Sequence, residues 1–364
     1  MSNIILGRIK PKVDAYLSQS QSAYRAGRST SDIVWAHRFL AARVQKFREE
    51  IFIEGINLSS AFDTIKRSDL LNELATFLND DEIRMIRLML SKTSLEIKRS
   101  DINKQERNPS GTGINHSHAG RNHSHINTTK FTTNIGSPQG DGVSGCLFII
   151  YFEMAMREVR HAMHDKRIEN EHAYATRSIA TLPEEMIYAD DADFIADSKE
   201  KRDRIINTAP NILKKHNLKV NATKTEHTIL KRSEKCNEEW RSTRKLGSLL
   251  GDAEDIVRRK QLASGALNKL NSMWIRKNKI RSDIRINLYR AIVKPVLLYN
   301  CQTWGLTKAD ETNLDSFHRK QLRKILHIKF PNIIRNHDLY ELTNVNSTLT
   351  NGVSSALAVI RTCS

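Results

Sequence analysis

The chain has 364 residues, and its 58 Lys and Arg against 41 Asp and Glu give a formal net charge of +17 at pH 7. A hydrophobic content of 39% with 27% charged residues is typical of a globular protein and excludes a wholly disordered one. No apolar run approaches the roughly 18 residues of a membrane helix, so the sequence predicts no transmembrane segment and no membrane partner. The length allows two or three domains.

The four cysteines stand far apart, at positions 146, 236, 301 and 363. They form no CxxC pair, so the sequence predicts neither a disulfide framework nor a zinc site. We therefore expect the protein to work in a reducing, intracellular compartment.

The first elements are a helix, a strand and a broken helix. Ser29 and Asp32 are spaced as a capping pair and predict a helix that runs to about Phe47. Residues 51–53 favour a strand. The pattern at 70–90 predicts a helix with an interruption near 79–81.

Residues 100–130 are polar and contain the string NHSH twice, at 115–118 and at 122–125. Four histidines at this spacing could bind a metal ion. No Cys or carboxylate completes a coordination set, which favours an inserted loop.

Regular elements resume after this loop. A helix is expected after Gly142, a strand pair around Tyr188, a helix over 197–215 and short strands up to Leu230. Within the strand pair, Asp190 and Asp191 are adjacent carboxylates between apolar residues, and two such anions repel strongly when buried. The segment could be a turn that carries acidic residues, or a site where a divalent metal ion resolves the repulsion.

Residues 241–340 hold 21 Lys and Arg against 8 Asp and Glu, so +13 of the net charge lies in this block. Such a field favours a polyanion such as nucleic acid, although a solvated lysine-rich face would have the same composition. Helices are predicted over 256–274, over 282–294 with Pro295 closing the helix, and from Thr307 to Leu326. Asp310 and Glu311 suit the positive end of the third helix.

Taken together, ordered motifs make the chain resemble the reverse transcriptases of non-LTR (LINE-type) retrotransposons. The blocks that carry the resemblance are QSAYRAGRSTSD at 21–32, INLSSAFDTI at 56–65, GSPQGDGVSGCLF at 136–148, YADD at 188–191, LKVNATKTE at 218–226, KLGS at 245–248 and FHRKQLR at 317–323. The resemblance covers residues 8–340.

The resemblance implies an α/β (α+β) fold, the right-hand polymerase with a ferredoxin-like palm and a helical thumb. It divides the chain into partial fingers at 1–48, a palm at 49–235 with the polar loop 100–130 inserted, a basic helical thumb at 236–345 and a tail at 346–364. The absence of the upstream fingers segment, of an endonuclease domain and of a Cys/His knuckle leads us to expect a fragment of a longer element protein or a decayed copy.

The resemblance also implies roles for individual residues. Asp190 and Asp191 would hold Mg²⁺ (or Mn²⁺). Phe62 stands where the family stacks an aromatic ring under the incoming sugar, although by itself it could be a plain core aromatic. Gln139 and Gly140 would let the backbone approach template and nucleotide.

Several cations complete this predicted site. Arg28 would contact the nucleotide phosphates, and Lys224 would contact phosphate or protonate pyrophosphate. For either residue the alternative is a solvated surface cation. In the basic thumb, Lys320, Arg323 and Lys324 are expected to bind the nucleic-acid duplex.

One residue departs from the motif at its most important position. Asn57 stands where the family has its first catalytic aspartate, so the site loses an anionic ligand for Mg²⁺. Glu54 lies an odd number of strand positions away and should point to the opposite face, and Asp63 lies past the strand. Neither carboxylate is expected to replace the missing one.

The sequence therefore predicts an RNA-directed DNA polymerase that takes an RNA template, a DNA primer and deoxynucleoside triphosphates, in an intracellular and nuclear location. The alternative is a catalytically inactive nucleic-acid-binding protein on the same fold, because Asn57 weakens the metal site. An unrelated helical DNA-binding protein would need a recognition-helix motif, which the sequence lacks.

Overall fold

The computed structural model describes residues 2–91, 94–99, 127–133, 135–137, 141–163, 182–232, 238–272 and 280–345. The chain divides into two compact units. The first comprises Met1–Leu17, Leu58–Ala162 and Asn211–Lys219, and the second comprises Ser18–Asn57, Met163–Pro210 and Val220–Ser364. Within the described ranges, no helix is both long and apolar enough to cross a membrane.

Strands and helices alternate along the described residues. The strands are β1 (Glu50–Ile56), β2 (Leu58–Ser59), β3 (Ser94–Arg99), β4 (Asn127–Thr132), β5 (Glu185–Tyr188), β6 (Asp191–Ala196), β7 (Lys219–Val220), β8 (Glu226–Lys231), β9 (Arg244–Lys245) and β10 (Ser248–Leu249). The helices are α1 (Ser2–Tyr16), α2 (Thr30–Phe47), α3 (Arg67–Leu74), α4 (Asp80–Leu90), α5 (Gly142–Met163), α6 (Lys199–Lys215), α7 (Asp252–Leu270), α8 (Ser282–Leu288), α9 (Lys294–Leu297), α10 (Lys308–Ile325) and α11 (Asn336–Thr343).

An antiparallel four-stranded sheet in the order β5-β6-β1-β8 is the centre of the second unit. Helix α2 packs against one face of this sheet. Its N-terminus has the predicted capping box, in which Ser29 and Asp32 satisfy each other's backbone N–H groups. The shared apolar core comprises Ile33, Leu40, Ala41, Val44, Ile51, Ile53, Met186, Ile195, Leu230, Trp240 and Leu250. Each fully buried Leu or Ile contributes about 1.5–3 kcal/mol through the hydrophobic effect.

Helices α7 to α11 of the same unit surround a second apolar core. Its buried members include Ile256, Ala263, Leu267, Leu270, Tyr289, Val293, Leu297, Trp304, Leu314, Leu322, Ile325 and Leu339. Helix α10 begins where predicted, with Thr307 as its N-cap, and Thr307 and Asp310 form a capping box. Helix α7 begins at Asp252, earlier than predicted, and Met273 and Trp274 at the end of the predicted helix lie outside the described residues.

Pro295 does not close its helix, contrary to prediction. Helix α8 continues through a π turn at Tyr289–Val293 into α9, where the proline occupies the first turn. A proline is tolerated there because the first backbone N–H groups of a helix have no intrahelical acceptor to lose. The helical run therefore extends to Leu297.

The first unit contains α1, α3, α4 and α5. Helix α1 was not predicted, although Ile5, Ile9 and Val13 recur every four residues and are all buried. Strands β3 and β4 pair as antiparallel neighbours across the predicted polar loop, so β4 begins inside that loop at Asn127. The histidine repeat at 115–125 and the tail at 346–364 lie outside the described residues.

Candidate active site

The YADD motif forms the turn of the β5–β6 hairpin. Tyr188 and Asp191 are partners in the ladder, so Ala189 and Asp190 are the two turn residues. Ala189 has a positive φ of 57°, which a two-residue hairpin turn requires and which costs a residue with a side chain some strain. The two adjacent carboxylates of the motif therefore lie at the tip of a hairpin.

Gln21 supports this strained turn. Its side chain is buried, and its Oε1 accepts hydrogen bonds from the backbone N–H groups of Ala189 at 3.1 Å and Ala23 at 2.9 Å. Ser22 N also donates to the carbonyl of Ile187 at 2.9 Å. The motif at 21–32 and the YADD motif are thus parts of one hydrogen-bonded arrangement.

Asn57 lies beside the same turn. It follows Ile56, the ladder partner of Ala192, and its Nδ2 donates to Asp191 Oδ1 at 2.7 Å. Its backbone carbonyl accepts a hydrogen bond from Asn221 N at 2.8 Å. Asn57, Asp191 and Asn221, one residue from each of three sequence blocks, therefore meet at one point of the second unit.

Asp190 and Asp191 place two negative charges close together at this turn. Burial raises the pKa of Asp191, the neighbouring charge of Asp190 raises it further, and the hydrogen bond from Asn57 only partly opposes them. Burial also raises the pKa of the Tyr24 hydroxyl, with Asp190 as the next cause. A divalent cation would relieve the repulsion between the two aspartates.

The donor set has the right chemistry for such a cation. Asp190 and Asp191 offer hard carboxylate oxygens, and Asn57 offers an amide oxygen once its N–H no longer faces Asp191. The residues present therefore fit a divalent ion such as Mg²⁺, with one negative charge fewer than three carboxylates would supply.

The two carboxylates considered as substitutes belong to different units. Glu54 points to the opposite face of β1, as predicted from its odd separation from Asn57, and contacts His227 on β8. Asp63 lies in a short 3₁₀ helix of the first unit and is exposed.

The predicted phosphate-binding cations lie on the surface. Lys224 is exposed at the end of a turn that begins at Asn221, whose backbone N–H binds Asn57. Arg28 is exposed and donates to Gln19 Oε1 at 3.1 Å. Both positions leave the cationic groups accessible, and their roles stay predictions.

The predicted nucleotide-binding residues of the first unit are only partly described. Phe62 is half-buried, and its ring lies 4.7 Å from that of Phe148 on α5 at a tilt of 32°. This contact is one that a plain core aromatic makes, and the role of Phe62 under a nucleotide sugar stays a prediction. Gln139 and Gly140 lie outside the described residues.

The predicted thumb cations differ from one another. Lys320 is exposed, and Lys324 donates to Asn268 Oδ1 at 2.7 Å in an exposed contact. Arg323 donates to Asn336 Oδ1 at 2.7 Å and to the carbonyl of Ile334 at 3.3 Å. Arg323 therefore also stabilises the segment between α10 and α11, a structural role that the sequence did not predict.

Sequence reasoning missed one ionic cluster near the site, which is buried except for Glu226. It comprises Asp193 on β6, Lys245 on β9, His37 on α2 and Glu226 on β8. Lys245 is the first residue of the KLGS block, and Asp193 lies two residues after the YADD motif, but neither was assigned a role. A signal was present, since Gly55 interrupts an otherwise bulky, buried strand, and a glycine there often marks close approach of another group.

Comparison with known proteins is consistent with this geometry. The family described as reverse transcriptase (RNA-dependent DNA polymerase) matches residues 1–251. The chain therefore belongs to the reverse transcriptase family, whose members generally use divalent metal ions. The predicted fold class, the α+β right-hand polymerase, is confirmed.

Similar solved structures are telomerases. One from Candida albicans, in complex with a TWJ fragment of telomeric RNA, has a TM-score of 0.42 and 10% identity over 95% of this chain and 56% of that chain. Apo telomerase from Candida tropicalis has a TM-score of 0.37 and 12% identity over 95% of this chain and 61% of that chain. The chain thus spans about half the length of these telomerases. No curated protein sequence matches it.

Proposed function

We propose that this chain is the polymerase region of a retrotransposon-derived, non-LTR (LINE-type) reverse transcriptase. It would bind an RNA template, a DNA primer and deoxynucleoside triphosphates, in an intracellular and nuclear location. The proposal is supported by membership of the reverse transcriptase family and by the ordered motifs that run beyond the matched residues into the basic block. The division into fingers, palm, thumb and tail is part of this proposal.

In this proposal Asp190 and Asp191 hold Mg²⁺ (or Mn²⁺), with Asn57 as a weaker neutral neighbour. When bound, the metal ions activate the primer hydroxyl and neutralise charge on the triphosphate. Gln21 keeps the hairpin turn in place, because its amide satisfies the strained backbone of Ala189. Exposed Lys224 is available to a departing pyrophosphate.

The remaining assigned residues act on the substrates. Phe62, Gln139, Gly140 and Arg28 would position the nucleotide. Lys320, Arg323 and Lys324 would neutralise phosphates of the primer-template, and each released counterion makes binding more sensitive to salt.

One observation supports a low activity: Asn57 Nδ2 donates to Asp191 Oδ1 at 2.7 Å. The amide therefore occupies a position next to the metal-binding carboxylate, and it brings a hydrogen-bond donor where the family has an anion. We propose that polymerisation by this chain is strongly impaired. This observation also favours the second candidate function, an inactive nucleic-acid-binding remnant on the same fold.

Primer extension on an RNA template tests the proposal. Wild type and Asn57→Asp are compared in Mg²⁺ and in Mn²⁺. The restored carboxylate should raise the rate by about 10²–10³, since a loss of transition-state charge stabilisation of a few kcal/mol is at stake. The control Asp190→Asn/Asn57→Asp should lose this gain.

The outcomes separate the two candidates. Equal and robust extension by wild type and Asn57→Asp would refute the impairment. Extension by Asn57→Asp alone supports an impaired polymerase. If neither extends a primer while both bind the primer-template in a salt-sensitive way, the chain is the inactive binding remnant.

A further inference from the structure

A single amine sits between two carboxylates in the sheet of the second unit. Lys245 Nζ lies 2.6 Å from Asp193 Oδ1 and 3.3 Å from Glu226 Oε2. Gly55 is the ladder partner of Asp193 on one side and of Glu226 on the other. The two acids and the glycine therefore form one row across β6, β1 and β8.

Gly55 is what makes room for this amine. A Cβ atom added to Gly55 would lie 2.7 Å from Lys245 Nζ and 2.8 Å from Asp193 Oδ1, closer than real contacts allow. The ammonium group thus fills the space over the glycine that a side chain would otherwise take. His37 Nε2 approaches the other oxygen of Asp193 at 3.1 Å.

Lys245 and Asp193 are buried, and Glu226 is the exposed end of the row. Burial would lower the pKa of Lys245, but the charges of Asp193 and Glu226 outweigh it and raise that pKa. Burial would likewise raise the pKa of Asp193, but Lys245 and His37 hold it well below its ordinary value. An unpaired charge here would be costly, because removing one partner of a buried pair leaves the other uncompensated.

The row lies directly beneath the candidate active site. Asp193 and Asp191 are two residues apart on β6, and Asn57, which directly follows β1, is two residues from Gly55, so the four positions share one side of the sheet. Movement of Asp193 would be transmitted to Asp191 through Ala192, the single residue between them. The amine is therefore placed to control the geometry of the aspartates above it.

We propose that Lys245 is a positioning residue. Its ammonium group is the counter-ion of Asp193 on β6 and Glu226 on β8 and holds them together over Gly55. The Asp190–Asp191 turn then keeps its shape without a divalent ion. The inference rests on the proposed function in one respect, the assignment of that turn as a metal site. Without the amine, Asp193 would keep His37 as its remaining ion-pair partner and Glu226 would face it across β1 with only solvent for a partner, so a divalent cation would become the replacement for the amine.

The test is thermal unfolding of the full chain, in EDTA and in about 10 mM MgCl₂ or CaCl₂. A concentration of about that order saturates weak carboxylate sites. Lys245→Met should melt about 5–10 °C below wild type in EDTA and should regain at least about 3 °C more than wild type does when the ion is added. A matched control is Lys12→Met, which breaks the Lys12–Glu82 pair of the first unit at 2.7 Å and should show no added response to the ion.

A purely structural lysine would lower the melting temperature equally with and without the ion, and that result would overturn the proposal. The variant Asp193→Asn/Lys245→Met removes both charges, so it should be more stable than Lys245→Met in EDTA and should lose the added ion response. If Lys245→Met does not fold at all, the double variant must still fold, and its failure would also overturn the proposal.

Gly55→Ala supplies a separate check of the geometry. It should cost more in wild type than in the Lys245→Met background, because the contact with the amine at 2.7 Å is then removed and only the contact with Asp193 Oδ1 at 2.8 Å remains. Equal costs in both backgrounds would place the amine elsewhere. None of these measurements uses nucleotide or template, so an inactive polymerase would leave the outcome unaffected.

Discussion

Replacing Asp255 with Asn should destabilise the second unit by about 3 kcal/mol, near the lower end of the cost of breaking a buried ion pair. The carboxylate is completely buried. It accepts hydrogen bonds from Trp304 Nε1 at 2.9 Å, from Leu249 N at 3.0 Å and from Arg38 Nη2 at 3.0 Å. These contacts join α2, the β9–β10 hairpin and the helices that follow it.

The magnitude follows from the donors that surround the side chain. An Asn has one acceptor oxygen and an NH₂ group, so at least one of the three donors would face another donor. The substitution also leaves the Arg38 guanidinium without its buried counter-charge. Asp252 Oδ1, at 3.2 Å from Arg38 Nε, compensates part of that loss, which is why we expect about 3 and not 5 kcal/mol. A shift of about 6–12 °C in melting temperature corresponds to this value.

Urea unfolding followed by tryptophan fluorescence and circular dichroism measures the effect. The matched control is Asp203→Asn, which removes an exposed aspartate that lies 2.7 Å from Arg202 and should change stability by no more than about 0.5 kcal/mol. If Asp255→Asn cost less than about 1 kcal/mol, the buried cluster would not be the link between these elements that its geometry indicates.

Three further outcomes are expected. Burial raises the pKa of the Cys146 thiol to about 12, so iodoacetamide at pH 8 should alkylate it only after denaturation, as mass spectrometry of native and unfolded samples will show. Burial would raise the pKa of Glu82, but its hydrogen bonds from Lys12 and Asn79 lower it overall, so its stabilisation is present above its unfolded-state pKa and is lost as pH falls. Glu82→Gln should therefore cost about 1–2 kcal/mol at pH 7 and flatten the stability profile below about pH 5 in urea titrations, whereas an unchanged profile would contradict this account. Neutralising Lys320 and Lys324 together should weaken duplex binding in fluorescence anisotropy and lower the log–log salt slope by about 1–2, and an unchanged slope would mean that both face plain solvent.

Much of the local structure was predictable because it depends on residues a few positions apart. The capping boxes at Ser29 and Thr307 and the strand pair around the YADD turn depend on such short-range chemistry. The prediction for Pro295 was wrong because a π turn precedes it and places the proline in the first turn of α9. Packing, and not the local sequence pattern, determines such a turn. The unpredicted helix α1 contains Pro11 and Gly7, which conceal its apolar period.

The sequence by itself determined the class of protein and the identity of the residues on which its chemistry depends, because family motifs and their order are properties of the linear chain. Only the tertiary structure decided which residues meet: Gln21 with Ala189 across 168 positions, Asn57 with Asp191 across 134, and Lys245 with Asp193 across 52. No periodicity links positions so far apart, since the strand register and the packing of α2 on the sheet bring them together. In the composition, Lys245 is one of many surplus cations. In the fold, and within the part of the sheet that is described, it is the only charge that fits over Gly55 between two acids.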